Sequence, residues 1–179
     1  PSAWTRDDLL VTGRGREGRV HVWSIPEGRL LRTIEFGGPA WWQIGENHVL
    51  AEVEVAGQEG QQRIIHLKRW ELPDGEAEDL GSVEWPADAT SSYFHSTGDA
   101  WMYAKGRAVY SRKLPVTPGT PDKVILRHSE GEARVGGSRW RPDGFYSWST
   151  DDELVLWSGV EDSVARPRRL RLPEATPGM

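Results

Sequence analysis

The stretch Glu17–Gly28, which reads EGRVHVWSIPEG, contains the pattern that decides the fold. Val20 and Val22 alternate with His21 and Trp23, so the two pairs lie on opposite faces of an extended strand. Pro, Glu and Gly follow, and these residue types favour a tight turn. The stretch therefore predicts a strand that ends in tryptophan and is followed by a turn.

The same pattern recurs along the chain. A close copy of WSIPEG, which reads WELPDG, begins at Trp70, and weaker copies of the strand end lie at Tyr110 and Trp157. A second marker, an aromatic residue followed by a polar turn, recurs at Trp4, Trp42, Phe94 and Trp140. Both markers have a period of about 45 residues, which predicts four copies of one structural unit.

Short runs rich in β-branched and aromatic residues, bounded by Pro and Gly, predict the other strands. We read strands at 19–23, 29–36, 48–55, 63–70, 107–114, 123–128, 153–157 and 168–172. No segment has sustained helical spacing of apolar residues, so the sequence predicts an all-β protein. We expect a single domain over 1–172, with units at 1–38, 39–86, 87–130 and 131–172, and a tail over 173–179.

Up to four strands in about 45 residues correspond to one blade of a β-propeller. The segments EGRVHVW and WRPDG (140–144) resemble tryptophan–aspartate (WD) repeats. The residues that carry this resemblance, to which we assign structural roles in the repeat, are Glu17, Gly18, Trp23, Trp70, Trp140, Asp143, Gly144, Asp151 and Trp157.

The resemblance implies a β-propeller of four-stranded antiparallel blades, with about four blades in this chain. We expect them to be part of a larger propeller, since propellers with this motif more often have seven blades. Ser24, Glu71, Ser111 and Ser158 replace the aspartate that names the family. A bacterial WD-like or YVTN-type propeller is therefore an alternative.

Composition excludes several classes of site. The chain has no cysteine, so it has neither disulfides nor thiolate zinc ligands. Its formal net charge of −5 argues against a nucleic-acid partner. No apolar run approaches the length of about 18 residues that a membrane-spanning helix needs. We expect a cytoplasmic protein with no membrane or nucleic-acid partner.

No residue pattern predicts catalysis. The five histidines lack metal-ligand spacing, and the G-x-G-x-x-G pattern at Gly13–Gly18 precedes a strand, whereas a dinucleotide site needs a helix there. The pairs Asp7-Asp8 and Asp151-Asp152 fit turns. The arginines of 166–172 fit a charged edge strand. We expect no catalytic, cofactor or metal residues and no cofactor, and the sequence leans against an enzyme.

Four of the ten tryptophans lie outside both repeat markers: Trp41, Trp85, Trp101 and Trp148. We predict that these rings form an aromatic surface for a protein partner. In contrast, we expect Trp23 to be mostly buried and Glu17 to serve a turn. The favoured function is a non-enzymatic scaffold for protein–protein interaction. The alternative is the propeller domain of a multidomain enzyme or sensor, such as a kinase- or NTPase-linked regulatory domain, or a hydrolase with a channel-facing site.

Overall fold

The structure is a computed structural model of the chain. It describes residues 2–6, 8–14, 17–45, 47–55, 63–95, 98–128, 131–137, 144–149, 153–158 and 168–171. For residues 2–6, 137, 144–149, 153–158 and 168–171 it describes the backbone alone.

The described residues form sixteen β-strands and no helix. Sheet 1 contains β1 (Ser2–Arg6), β2 (Leu9–Gly13), β3 (Arg19–Ser24) and β4 (Arg29–Glu35). Sheet 2 contains β5 (Ala40–Ile44), β6 (His48–Glu54), β7 (Ile64–Glu71) and β8 (Ala77–Glu84). Sheet 3 contains β9 (Ala89–Phe94), β10 (Ala100–Lys105), β11 (Ala108–Lys113) and β12 (Lys123–Arg127). Sheet 4 contains β13 (Ala133–Gly137), β14 (Gly144–Ser149), β15 (Glu153–Ser158) and β16 (Arg168–Arg171).

Each sheet is an antiparallel meander, in which strands that are consecutive in the chain are also neighbours in space. The prediction of an all-β chain built from four-stranded antiparallel sheets is confirmed. Each of the eight runs read as strands in the sequence overlaps one strand of the structure, namely β3, β4, β6, β7, β11, β12, β15 and β16.

The chain divides into two compact units, and unit 1 contains Pro1–Trp85 and Leu114–Pro118. Its core lies between sheet 1 and sheet 2. Val20 and Val22, which alternate with polar residues along β3, are fully buried there, and Trp70 of β7 joins the same cluster. The alternation in β3 thus gives sheet 1 one apolar face, which packs against sheet 2.

The segment Leu114–Pro118, which follows β11 in the chain, covers the outer edge of sheet 2. The backbone N–H of Val116 donates to the carbonyl oxygen of Leu80 in β8 at 2.7 Å. Gly81 has a φ of +97°, and a Cβ atom there would lie 2.6 Å from the Val116 carbonyl oxygen. The close approach of this segment therefore requires glycine at position 81.

Unit 2 contains Pro86–Lys113 and Gly119–Met179, which include sheets 3 and 4. Two side chains of β9 tie these sheets together. The Thr90 hydroxyl donates to the Ala133 carbonyl oxygen at 2.7 Å, and the Ser91 hydroxyl accepts from the Val135 N–H at 2.8 Å. Ala133 and Val135 of β13 also pack in an apolar cluster with residues of sheet 3, such as Met102.

Candidate partner-binding surface

The two best copies of the repeat place their tryptophans in different surroundings. Trp70 is only 4% exposed, and its ring centroid lies 5.3 Å from that of Phe36 in the core between sheets 1 and 2. Trp23 is half-buried, with its Nε1 donating to the Thr12 hydroxyl at 3.0 Å. We expected Trp23 to be mostly buried. It keeps more exposure because sheet 2 packs against the opposite face of sheet 1.

Glu17 and Gly18 lie in the turn before β3. The N–H of Glu17 donates to the Arg14 carbonyl oxygen at 3.1 Å, and its exposed carboxylate pairs with the Arg14 guanidinium at 3.3 Å. Gly18 has a φ of +69°, and a Cβ atom there would lie 2.8 Å from the Gly38 carbonyl oxygen. Both residues thus shape the turn.

The other repeat residues fall at position 140 or later in the sequence. Trp140, Asp143 and Asp151 are outside the described residues. The backbones of Gly144 and Trp157 lie in β14 and β15.

The four tryptophans that were expected to form one aromatic surface differ in exposure. Trp101 in β10 has no exposed surface, and its ring lies 5.2 Å from that of Tyr103. It therefore fills the core instead of contributing to an exposed surface. Trp41 is 55% exposed in β5, and Trp85 is half-buried just after β8. Trp148 lies in β14, of which the backbone alone is described.

Trp41 and Trp85 share one face of sheet 2, the face directed away from sheet 1. Trp41 is the cross-strand partner of Glu52, and Glu54, two residues along β6, pairs with Ile65 of β7. Arg63, two residues before Ile65, accepts a hydrogen bond from the Trp85 N–H at 2.7 Å. Because alternate residues of a strand share a face, Trp41, Glu54, Arg63 and Trp85 lie on the same side. We call these four residues the Trp41–Trp85 surface.

Arg63 is held in place on this surface by two partners. Its guanidinium carbon lies 4.8 Å from the centroid of the Trp85 ring, which is cation–π geometry. Its Nε lies 2.9 Å from the Glu54 carboxylate, and its Nη2 donates to the same carboxylate at 3.3 Å. Trp85 was predicted from the sequence as a partner-binding residue, but Arg63 was not, because nothing in the local sequence pattern indicates that positions 63 and 85 are neighbours.

A second charged cluster, in sheet 3, was also missed. The Tyr103 hydroxyl donates to Asp122 at 2.9 Å, and Arg112 donates to the same carboxylate through Nε at 2.6 Å and Nη2 at 2.7 Å. The rings of Tyr103 and Tyr110 stack with centroids 5.0 Å apart. The cluster fastens the loop before β12 onto the sheet.

Burial and hydrogen bonding fix the charge states of this cluster. Burial and the hydrogen bond to Asp122 raise the pKa of Tyr103 above its usual value. Burial opposes the ionisation of Asp122, but hydrogen bonds from Arg112 and Tyr103 hold its pKa below the usual range. A carboxylate that is kept ionised by three donors is a poor general base at neutral pH. The cluster is therefore structural.

Two histidines make hydrogen bonds between neighbouring strands. The Nδ1 of His21 lies 3.0 Å from the Thr33 hydroxyl, and the Nδ1 of His66 lies 2.7 Å from the Ser82 hydroxyl. Within the described part of the chain, no group of three His, Asp or Glu side chains has the geometry to hold a metal ion. The described residues also include no helix long and apolar enough to cross a membrane.

Comparison with known proteins supports the fold. No protein-family model matches the chain, and no curated protein is significantly similar to it. Among the solved structures that are similar is the β-propeller Hsv2 of Kluyvelomyces marxianus, with a TM-score of 0.50 and 13% sequence identity. The fold is that of a β-propeller.

The matched region covers 86% of this chain but only 44% of the Hsv2 chain. The chain thus spans less than half the length of that propeller. At this level of identity, the similarity shows the fold alone.

Proposed function

We propose that this chain is a non-enzymatic scaffold that binds a protein partner through the Trp41–Trp85 surface. The observation that carries the proposal is the 55% exposure of Trp41, the largest among the exposed large hydrophobic side chains of the described residues. Trp and Arg are the residue types that most often dominate the binding energy of protein interfaces. This surface contains two tryptophans and one arginine. The propeller fold supports a binding function in general. We further propose that this propeller is WD-like and bacterial.

The dimensions of the surface suit one protein interface. Trp41 and Trp85 are separated by three strand spacings of about 4.8 Å and by about four residues along the strands, which together give roughly 19 Å. A standard interface covers about 800 Å² on each partner, which corresponds to a patch roughly 32 Å across. The distance between the two tryptophans is therefore smaller than the width of one interface.

The charge of the surface favours a protein over a nucleic acid. Arg63 is paired with Glu54 at 2.9 Å, so the guanidinium is already neutralised by a carboxylate. Nucleic-acid binding depends on unpaired cations that replace the counterions of phosphates. A stacked and paired arginine instead offers a rigid planar surface with little entropy left to lose on binding.

Affinity capture with four immobilised proteins tests the proposal: the wild type and the Trp41→Ser, Arg63→Ala and Ile64→Ser variants. Ile64 is the matched control, because it is 40% exposed in the same sheet and points to the opposite face from its neighbour Ile65. We expect a protein from a bacterial lysate to be retained by the wild type and by Ile64→Ser. Trp41→Ser should lose it, and Arg63→Ala should weaken its retention. Equal retention by wild type and Trp41→Ser would contradict the proposal.

The alternative function is that of a propeller domain within a multidomain enzyme or sensor. It differs from the scaffold in that a catalytic domain would accompany the propeller in the same protein. A kinase, NTPase or hydrolase domain in the full open reading frame would favour it, whereas further blades alone would favour the scaffold. The full reading frame is therefore the observation that separates the two functions.

A further inference from the structure

The negative charge of the chain is concentrated in the unit that contains the Trp41–Trp85 surface. Segment 39–86 has ten Asp and Glu residues against three Lys and Arg residues, which is a net charge of −7. The rest of the chain has seventeen acidic and nineteen basic residues, which is a net charge of +2. The formal charge of −5 therefore arises entirely from the unit that forms sheet 2.

Most carboxylates of this unit are exposed on sheet 2. Six exposed ones lie between the end of β7 and the end of β8, namely Glu71, Asp74, Glu76, Glu78, Asp79 and Glu84. Arg69 pairs with Glu78 at 2.6 Å, and Arg63 pairs with Glu54 at 2.9 Å. These two arginines offset only a part of the charge. The excess attracts a cationic partner to sheet 2 before contact is made.

The Trp41–Trp85 surface already holds one guanidinium. The guanidinium carbon of Arg63 lies 4.8 Å from the centroid of the Trp85 ring, and its Nε lies 2.9 Å from the Glu54 carboxylate. An indole face and a carboxylate are two groups that bind a guanidinium well, the first by stacking and the second by charge-assisted hydrogen bonds. The surface therefore offers the groups that arginine recognition needs.

Trp41 lies on the other side of Glu54 from Arg63. The four residues of the surface belong to successive strand positions across sheet 2, in the order Trp41, Glu54, Arg63 and Trp85. Glu54 is the diagonal cross-strand neighbour of Trp41, a separation of about 7 Å that a long side chain can bridge. Each carboxylate oxygen can accept more than one hydrogen bond. Because Trp41 is 55% exposed, a cation from a partner can stack on its ring with Glu54 beside it.

We propose that the partner of the Trp41–Trp85 surface presents an arginine-rich segment, with one guanidinium stacked on Trp41 beside Glu54. The inference rests on the proposed function, because it names the chemistry of the partner at the same surface. Arginine is favoured over lysine, since its planar guanidinium stacks on an indole and pairs with a carboxylate through two N–H groups.

Fluorescence anisotropy with three labelled peptides of equal length, in which Gly alternates with Arg, Lys or Gln, is the first test. The wild type should bind the arginine peptide about threefold more tightly than the lysine peptide, and the glutamine peptide much more weakly. Both cationic peptides should lose affinity as the salt concentration rises from about 50 mM to about 500 mM.

The matched variants are Trp41→Leu, which keeps every charge and an apolar side chain but lacks the aromatic face, and Ile64→Ser on the opposite face. Trp41→Leu should bind the arginine and lysine peptides equally, whereas Ile64→Ser should retain the preference for arginine. Circular dichroism confirms that both variants fold. No binding of the arginine peptide to the wild type, or an undiminished arginine preference in Trp41→Leu, would overturn the inference.

Competition during the affinity capture is the second test, and it separates this inference from the proposed function. The arginine peptide should release the captured protein, whereas the glutamine peptide should not. A protein whose capture requires Trp41 but withstands the arginine peptide would overturn the arginine-rich partner and leave the proposed function intact. Equal capture by the wild type and Trp41→Ser would overturn both.

Discussion

The sharpest prediction from the structure is the contrast between Trp70→Ala and Trp41→Ala, the same substitution at two positions of sheet 2. Trp70 is 4% exposed and packs on Phe36, whereas Trp41 is 55% exposed. A buried tryptophan removes about 200 Å² from water, which at about 25 cal/mol per Å² is worth about 5 kcal/mol. Since alanine retains part of this contact, we expect Trp70→Ala to cost about 4 kcal/mol.

Trp41→Ala should cost about 1 kcal/mol or less, because most of its ring is already in water. Urea unfolding followed by far-UV circular dichroism measures both values without relying on tryptophan fluorescence, which the substitutions themselves alter. With a denaturant slope of about 2 kcal/mol per M, Trp70→Ala lowers the midpoint by about 2 M. Equal losses in the two variants would refute the inference that sheet 1 covers the Trp70 face.

Three further predictions concern the remaining contacts. Gly81→Ala should lower the thermal midpoint more than Gly28→Ala, because both have positive φ but only position 81 lacks room for a Cβ atom; equal midpoints would contradict this. The pKa of Asp122 is lowered in the folded state, so its stabilisation is present above about pH 4 and is lost as the pH falls through the folded value. Midpoints measured between about pH 6 and pH 2 should therefore fall more steeply in the wild type than in Asp122→Asn. Ser91→Ala removes the acceptor of the Val135 N–H, so hydrogen exchange at that amide should accelerate, and unchanged exchange would argue against the bond between sheets 3 and 4.

The fold could be predicted from the sequence because two physical signals agree. Alternation along β3 marks one buried face, and the recurrence of the same strand end at Trp70 marks a repeated unit. Of the strands that are buried on both faces, β6 was read from the sequence but β10 was missed. Five of the six residues of β10, from Ala100 to Ala104, are buried. Both faces of this strand are therefore covered, and its sequence shows no alternation of polar and apolar residues.

The candidate site was less predictable, because sequence position does not report burial. Trp41 and Trp101 both lie outside the repeat markers, yet one is 55% exposed and the other fully buried. The difference arises from what packs on each strand. The pairing of Arg63 with Trp85 depends likewise on the register of β7 and β8, which the sequence does not specify.

The covering of β8 by Leu114–Pro118 affects the protein during its synthesis and also affects its truncated fragments. Sheet 2 obtains the Val116–Leu80 hydrogen bond only after more than thirty further residues have followed Leu80 out of the ribosome. During synthesis the edge of β8 is therefore open to other chains. For the same reason, a fragment that ends at Trp85 would include all four strands of sheet 2 and still expose its outer strand to aggregation.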